Sequence, residues 1–209
     1  MTQESIFRSI SLLVFLSSIV ISGYYRKRAR RSGDVIPRRA EGAFVLLIRL
    51  GAGLLVAASF LAYPFAPARL AWSSLSLPTW LRWVAGGVAL ACLPAIWWVL
   101  VSIGENISET VLIKANHRLV MHGPYHWIRH PLYAVALVEL LSLAIIAASW
   151  YLLLLACAGI LVFRIAVIPK EEDNLVRAFG KPYEEYKRHT GALLPRLRPQ
   201  APDPPFREP

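Results

Sequence analysis

The sequence predicts an all-α, polytopic integral membrane protein of about five transmembrane helices. Three observations carry that reading. Of the 209 residues, 56% are apolar and seven are Trp, and the mean hydropathy is +0.47, which is too apolar for a water-soluble fold of this length. The apolar residues gather into windows of about 20, the length a helix needs to cross a bilayer. The 23 Lys and Arg residues flank those windows.

Taken in order, the windows are 6–24, 43–63, 80–103, 131–148 and 150–168. The first resembles a secretion signal in apolarity. Its basic cluster follows the apolar run, however, and no small-residue cleavage site is present, so it reads as a retained spanning helix. Arg26, Lys27, Arg28, Arg30, Arg31, Arg38 and Arg39 crowd the loop after it, whereas Arg69 and Arg82 are the basic residues around the next loop. The positive-inside rule therefore puts the first loop in the cytoplasm. Alternation then places the loop 104–130, with Lys114, Arg118 and Arg129, and the tail, with Lys170, Arg177, Lys181, Lys187, Arg188, Arg196, Arg198 and Arg207, on the same side. The short turn at Ala148–Ser149–Trp150 forces the last two windows into an antiparallel hairpin, which brings loop 104–130 and the tail together. Pro169 is expected to end the fifth helix. An amphipathic helix over Lys170–Phe179, with Leu175, Val176 and Phe179 on one side, should stop at Gly180. A second short helix is expected from about Pro182 to Thr190. The Pro- and charge-rich stretch Pro199–Pro209 is expected to be disordered. This organises the chain into helices over 1–103, a core over 104–195 and a tail over 196–209.

Several function classes fall away. A net charge of +10 spread at the ends of apolar windows is topological anchoring, with a secondary attraction to anionic membrane lipid, and not a nucleic-acid-binding face. Cys92 and Cys157 lie inside apolar runs and read as core residues, outside any disulfide or zinc framework. His117, His122, His126 and His130 lie in one loop at spacings that put at most two on one helical face, with no Cys or placed carboxylate among them, so no metal site is expected.

Polar residues are scarce in the windows but dense over 116–133 and again over 164–186. The first stretch reads Asn-His-Arg-Leu-Val-Met-His-Gly-Pro-Tyr-His-Trp-Ile-Arg-His-Pro-Leu-Tyr. Gly123-Pro124 marks a turn and Pro131 a helix start, so the residues between them can form a compact loop lying on the bundle. Alone, Arg129 and Tyr133 would read as interfacial anchors.

Taken together, Gly123-Pro124-Tyr125, Arg129-His130-Pro131-Leu132-Tyr133, Glu171-Glu172 with Leu175, Phe179-Gly180, Tyr183 and Tyr186 resemble the isoprenylcysteine carboxyl methyltransferase family and its phospholipid methyltransferase relatives, here a bacterial-type member, over about Gly104 to Pro195. The resemblance implies a cytoplasmic pocket for S-adenosyl-L-methionine, opening to the bilayer for a lipophilic small-molecule acceptor, in an enzyme of the bacterial inner membrane. By motif position, His117, Arg118, Leu119 and Val120 would line the cofactor through backbone, and Tyr125 would approach it from the turn. Arg129, His130, Pro131, Leu132 and Tyr133 would complete the wall, and Glu171, with Glu172 beside it or facing solvent, would meet the ammonium group. Methyl transfer from a sulfonium is an in-line displacement that asks for alignment and dryness more than for an acid or base.

The chain departs from the family at two positions. Eukaryotic members carry a substrate-orienting arginine four residues before the glutamate pair, where this chain has Val167, and Arg164 is the nearest basic candidate for a catalytic role. Val135 replaces a usual glycine and should crowd helix packing. Glu139, deep in the fourth window, is expected to pair with Arg49 or Arg82 or to stay protonated and bond a hydroxyl such as Ser142. Two other readings compete: a membrane reductase of the sterol-reductase type, which would take a nicotinamide cofactor, and a non-enzymatic membrane scaffold.

Overall fold

The computed structural model describes residues 2–31, 43–104 and 119–196. His117, Arg118, Lys114, the first loop's Arg38 and Arg39, and the segment 199–209 lie outside the described residues.

Helix α1 (Gln3–Arg30) starts where Thr2 accepts the Ser5 amide. Glu4 stands in its first turn and Lys27, Arg28 and Arg30 in its last, matching the helix dipole at both ends. Helix α2 (Ala43–Phe65) carries Pro64 near its end, and a 3-10 segment (Pro67–Ser73) leaves it at 106°. Two prolines around Ala66 remove the donors that would continue a straight helix. Helix α3 (Thr79–Ile103) is central and packs against both α1 and α4 (Pro131–Ile146). Helix α5 (Trp150–Val162) is capped by Ser149, which accepts the Leu152 amide, after the turn at Ala148.

Five apolar helices therefore stand where five windows were expected, though they are unequal. By length and composition α1, α3 and the α5-containing helix can cross a bilayer, and the bent pair makes a fourth. At 16 residues, α4 reaches about 24 Å at 1.5 Å per residue, short of an apolar bilayer core of about 30 Å. It is cut short at one end by the polar group around Arg129 and His130, and at the other by the turn into α5.

The fifth helix does not end at Pro169. A π-helical turn (Phe163–Val167) joins α5 to α6 (Ile168–Phe179), and the apolar helix runs through Trp150–Phe179 for 30 residues. The wider turn just before Pro169 relieves the crowding between its ring and the preceding carbonyl, so the proline is absorbed instead of breaking the helix. Gly180, at φ +60°, then stops α6 as expected, and α7 (Lys181–His189) follows.

The main core joins Phe7, Val14, Phe60, Ala85, Ala89, Leu143 and Leu152. Cys92 is buried as expected, but Cys157 is exposed on the outside of α5. It shares that outside with Leu154 and Leu161, as Leu13 and Val20 do on α1 and Leu54 on α2. So much exposed apolar surface is stable in lipid and not in water, and the chain is an integral membrane protein.

Glu139 does not pair with Arg82, and the side chain of its other expected cation, Arg49, lies outside the described residues. Glu139 accepts from Ser18 Oγ of α1 at 2.8 Å, while Ser142 bonds the Val138 carbonyl and Arg82 is drawn to Glu4. A hydroxyl from an adjacent helix satisfies a lipid-depth carboxyl at less desolvation cost than a guanidinium would. Val135 packs, with Leu132, against the cluster of Ala29, Ile96 and Leu100.

Candidate functional site

Loop 119–130 folds over the end of the bundle. Gly123 opens a 3-10 turn (Gly123–His126) at φ +59°, and a Cβ there would stand 2.6 Å from Ser102 Oγ of α3. Only glycine allows both the backbone angle and the approach. The turn drives Pro124 and Tyr125 inward and leaves Trp127 exposed, edge-on to Trp98 of α3 at 5.9 Å. Beyond it, Arg129 N donates to Gly191 O at 2.8 Å and His130 N to Ala192 O at 3.0 Å. Ile128 and Gly191 form a short parallel bridge, so the loop and the end of α7 are stitched together by backbone. A Cβ on Gly191 would fall 1.7 Å from the Leu194 carbonyl, so this crossing needs glycine too.

Side chains tighten the stitch. Arg129 Nε donates to Glu172 Oε1 at 2.8 Å, and Nη2 lies 2.7 Å from the same oxygen. Its Nη1 donates to the carbonyls of Lys187, at 3.2 Å, and Thr190. One guanidinium thus ties loop to α6 while meeting two orphan carbonyls at the C-terminus of α7, where a cation is favoured. Lys187 Nζ takes the other oxygen, Glu172 Oε2, at 2.8 Å, and His130 Nε2 lies 3.4 Å from Oε1. Glu172 does not face solvent. It is buried among three basic side chains and anchors the cap.

Glu171, one residue earlier, has a different environment. Tyr133 OH donates to its Oε2 at 2.9 Å, and His130 Nδ1 lies 3.7 Å from that oxygen. The His130 and Tyr133 rings stack at 5.6 Å with 8° between planes, and Tyr133 touches Phe163 of the π-turn at 4.7 Å. The Glu171 side chain keeps 27% exposure. It is a carboxylate oriented by neighbours and still open on one side.

A tyrosine layer closes the cap. Tyr186 OH donates to the Tyr125 carbonyl at 2.5 Å, and Thr190 Oγ1 donates to Tyr186 O. Burial pushes the Tyr186 phenol up to about 12, against the opposing pull of Arg129 and its Thr190 bond. Burial, with Glu171 and Tyr186 nearby, also raises Tyr125. Both remain neutral donors at physiological pH.

The structure therefore brings together Tyr125, Arg129, His130, Tyr133, Glu171 and Glu172. Pro131 is buried as the first residue of α4. Leu132 packs against the cluster of Ala29, Ile96 and Leu100, and Leu119 and Val120 are half-buried where the described loop begins. Arg164 is exposed, next to the Phe163 that touches Tyr133. Sequence reasoning did not single out Lys187, Thr190 and Gly191 as parts of this arrangement. The basic last turn of α7 just before a glycine was their only signal. Among the described residues no cluster of His, Cys, Asp and Glu could hold a metal ion.

Residues 84–177 match the model of the isoprenylcysteine carboxyl methyltransferase (ICMT) family. The chain is 33% identical over 111 residues to the cobalt-zinc-cadmium resistance protein CzcN of Cupriavidus metallidurans, covering 53% of this chain and 47% of that one. It is 31% identical over 98 residues to the protein-S-isoprenylcysteine O-methyltransferase of Schizosaccharomyces pombe, covering 46% and 42%. The alignments thus span about half the length of these curated relatives or less. A solved structure of the eukaryotic intramembrane Ras methyltransferase ICMT superposes with a TM-score of 0.54 at 20% identity, over 89% of this chain and 67% of that one. That likeness shows the fold.

Proposed function

We propose that this chain, whose residues 84–177 match the model of the isoprenylcysteine carboxyl methyltransferase family, is a member of that family and transfers a methyl group from S-adenosyl-L-methionine to a lipophilic acceptor dissolved in the bilayer. The observation that carries this reading is the convergence of Tyr133 and His130 on Glu171 across a gap of some forty residues, at the mouth of an apolar bundle. A carboxylate held in place yet open on one side suits the ammonium group of an amino acid ligand.

When bound, S-adenosyl-L-methionine supplies a sulfonium methyl that reacts by in-line displacement. The protein's part is to hold and to dry. Glu171 takes the ammonium, and Tyr133 and His130 keep that carboxylate aimed. The Tyr133–Phe163 contact and the buried Tyr125 wall out water, so that alignment supplies most of the rate. Backbone of His117, Arg118, Leu119 and Val120 is assigned to the far wall. Glu172 and Arg129 are assigned to keeping the walls together, because their polar atoms already serve one another, His130, Lys187 and the end of α7. Arg164 is assigned to an anionic group on the acceptor, near the Phe163 side of the site. This end is assigned to the cytoplasmic face of a bacterial inner membrane, a reading that the basic last turns of α1, α6 and α7 support.

The test is incubation of detergent-solubilised protein with methyl-labelled S-adenosyl-L-methionine and a total lipid extract, followed by mass analysis. Label in an extractable lipophilic product is expected. Thermal stabilisation by reduced nicotinamide dinucleotides but not by S-adenosylhomocysteine would contradict the reading and favour a reductase.

A further inference from the structure

The Tyr183 hydroxyl is buried without a hydrogen-bond partner, on a side chain only 1% exposed. It stands in the first turn of α7, its ring 5.9 Å from that of Tyr186, beside the Glu172 and Arg129 assigned above to holding the walls together and within reach of the Glu171 assigned to the methyl donor. Burial raises its pKa, Glu172 and Glu171 add to the rise, and Arg129 opposes it, so the phenol lies within electrostatic reach of all three and stays protonated. Three of the four nearby carboxylate oxygens are already engaged: Arg129 and His130 hold Glu172 Oε1, Lys187 holds Oε2, and Tyr133 holds Glu171 Oε2. A buried O–H with no acceptor is uncommon in folded proteins, because water would satisfy it in the unfolded chain. Phenylalanine would fill the same space without that cost.

We propose that Tyr183 is a ligand-binding residue whose hydroxyl donates to the carboxylate of the methyl donor's α-amino acid group, beside the Glu171 that takes the ammonium. The inference rests on the methyl-donor reading and names a contact within it. An α-amino acid presents a cation and an anion a bond or two apart, so a site with an open carboxylate needs a donor next to it. Arg129 and Lys187 are the neighbouring cations, and both are committed to Glu172. A neutral, fully buried phenol fills the role without placing another charge in the cap.

The experiment compares wild type with Tyr183→Phe, using S-adenosylhomocysteine and 5′-methylthioadenosine, which keeps the thioether nucleoside and lacks the amino acid group. Tyr183→Phe should weaken S-adenosylhomocysteine binding about tenfold and leave 5′-methylthioadenosine binding unchanged. The unliganded variant should melt at the same temperature as wild type or higher. Unchanged affinity for S-adenosylhomocysteine, an equal loss for both ligands, or a lower unliganded melting temperature would each overturn the assignment of Tyr183. Wild-type protein that binds neither ligand would overturn the methyl-donor reading itself, so the two failures are distinguishable.

Discussion

The two ends of the bundle each gather a polar cluster, and they are built differently. At the end where α1 begins, Arg82 donates from Nε to the Ile146 carbonyl at 2.8 Å and from Nη2 to Glu4 at 2.8 Å and Tyr63 at 3.0 Å, with its guanidinium over the Phe7 ring. Tyr63 completes the ring by donating to Glu4. Four helices are tied by these groups, and Arg82 is engaged on its edge and its face. At the opposite end, Arg129 and Glu172 do the same for loop 119–130, α6 and α7. There the tie is accompanied by a carboxylate left partly open at Glu171 and a hydroxyl left unbonded at Tyr183. Both ends are held by an ion pair and both keep unused bonding capacity, at Arg8 Nε and the half-open Glu4 in the first and at Tyr183 OH and Glu171 in the second. What differs is the geometry around the open carboxylate: Tyr133 and His130 converge on Glu171, the arrangement proposed above to take a ligand.

Substitutions at the two ends should separate those roles. The largest effect is expected from Glu172→Ala, which strands the buried Arg129 among carbonyls. A loss of about 3–5 kcal/mol of stability is expected, seen as a lower melting temperature in detergent with or without ligand. Glu171→Ala should leave the melting temperature of the unliganded protein nearly unchanged and weaken S-adenosylhomocysteine binding tenfold or more, since a hydrogen bond to a charged group is worth about 1.5–3 kcal/mol. Wild-type affinity in that variant would erase the difference between the two ends. The smallest effect belongs to Arg82→Ala, whose partner Glu4 is 39% exposed. A stability loss of about 1–2 kcal/mol with unchanged ligand affinity is expected. A change in affinity there would show that the far cluster is coupled to the site.

Much of the framework was legible in residue order, because its causes are local. The apolar windows, the turn at Gly123-Pro124, the helix start at Pro131 and the stop at Gly180 each follow from hydropathy or from one residue's backbone limits. What was illegible depends on neighbours distant in the chain. Pro169 failed to stop its helix because a π-turn took up the strain, and that turn has no signature in the sequence Phe163–Val167. Glu139 found Ser18, 121 positions away. The motif resemblance picked out residues that the structure brings together around Glu171, yet it did not separate Glu171, which keeps an open side, from Arg129 and Glu172, which serve one another. Arg129 and Glu172 became ties only once the end of α7 was seen to lie against them.

The central claim is that loop 119–130 and the segment from Ile168 to Gly191 act together as one binding site, and hydrogen exchange with and without S-adenosylhomocysteine tests it most directly. The account expects slower exchange in both segments at once, centred on Tyr125–Tyr133 and on Glu171 and Tyr183, with the α1–α3 cluster around Arg82 unchanged. Protection confined to one segment, or centred on the Arg82 end, would contradict it.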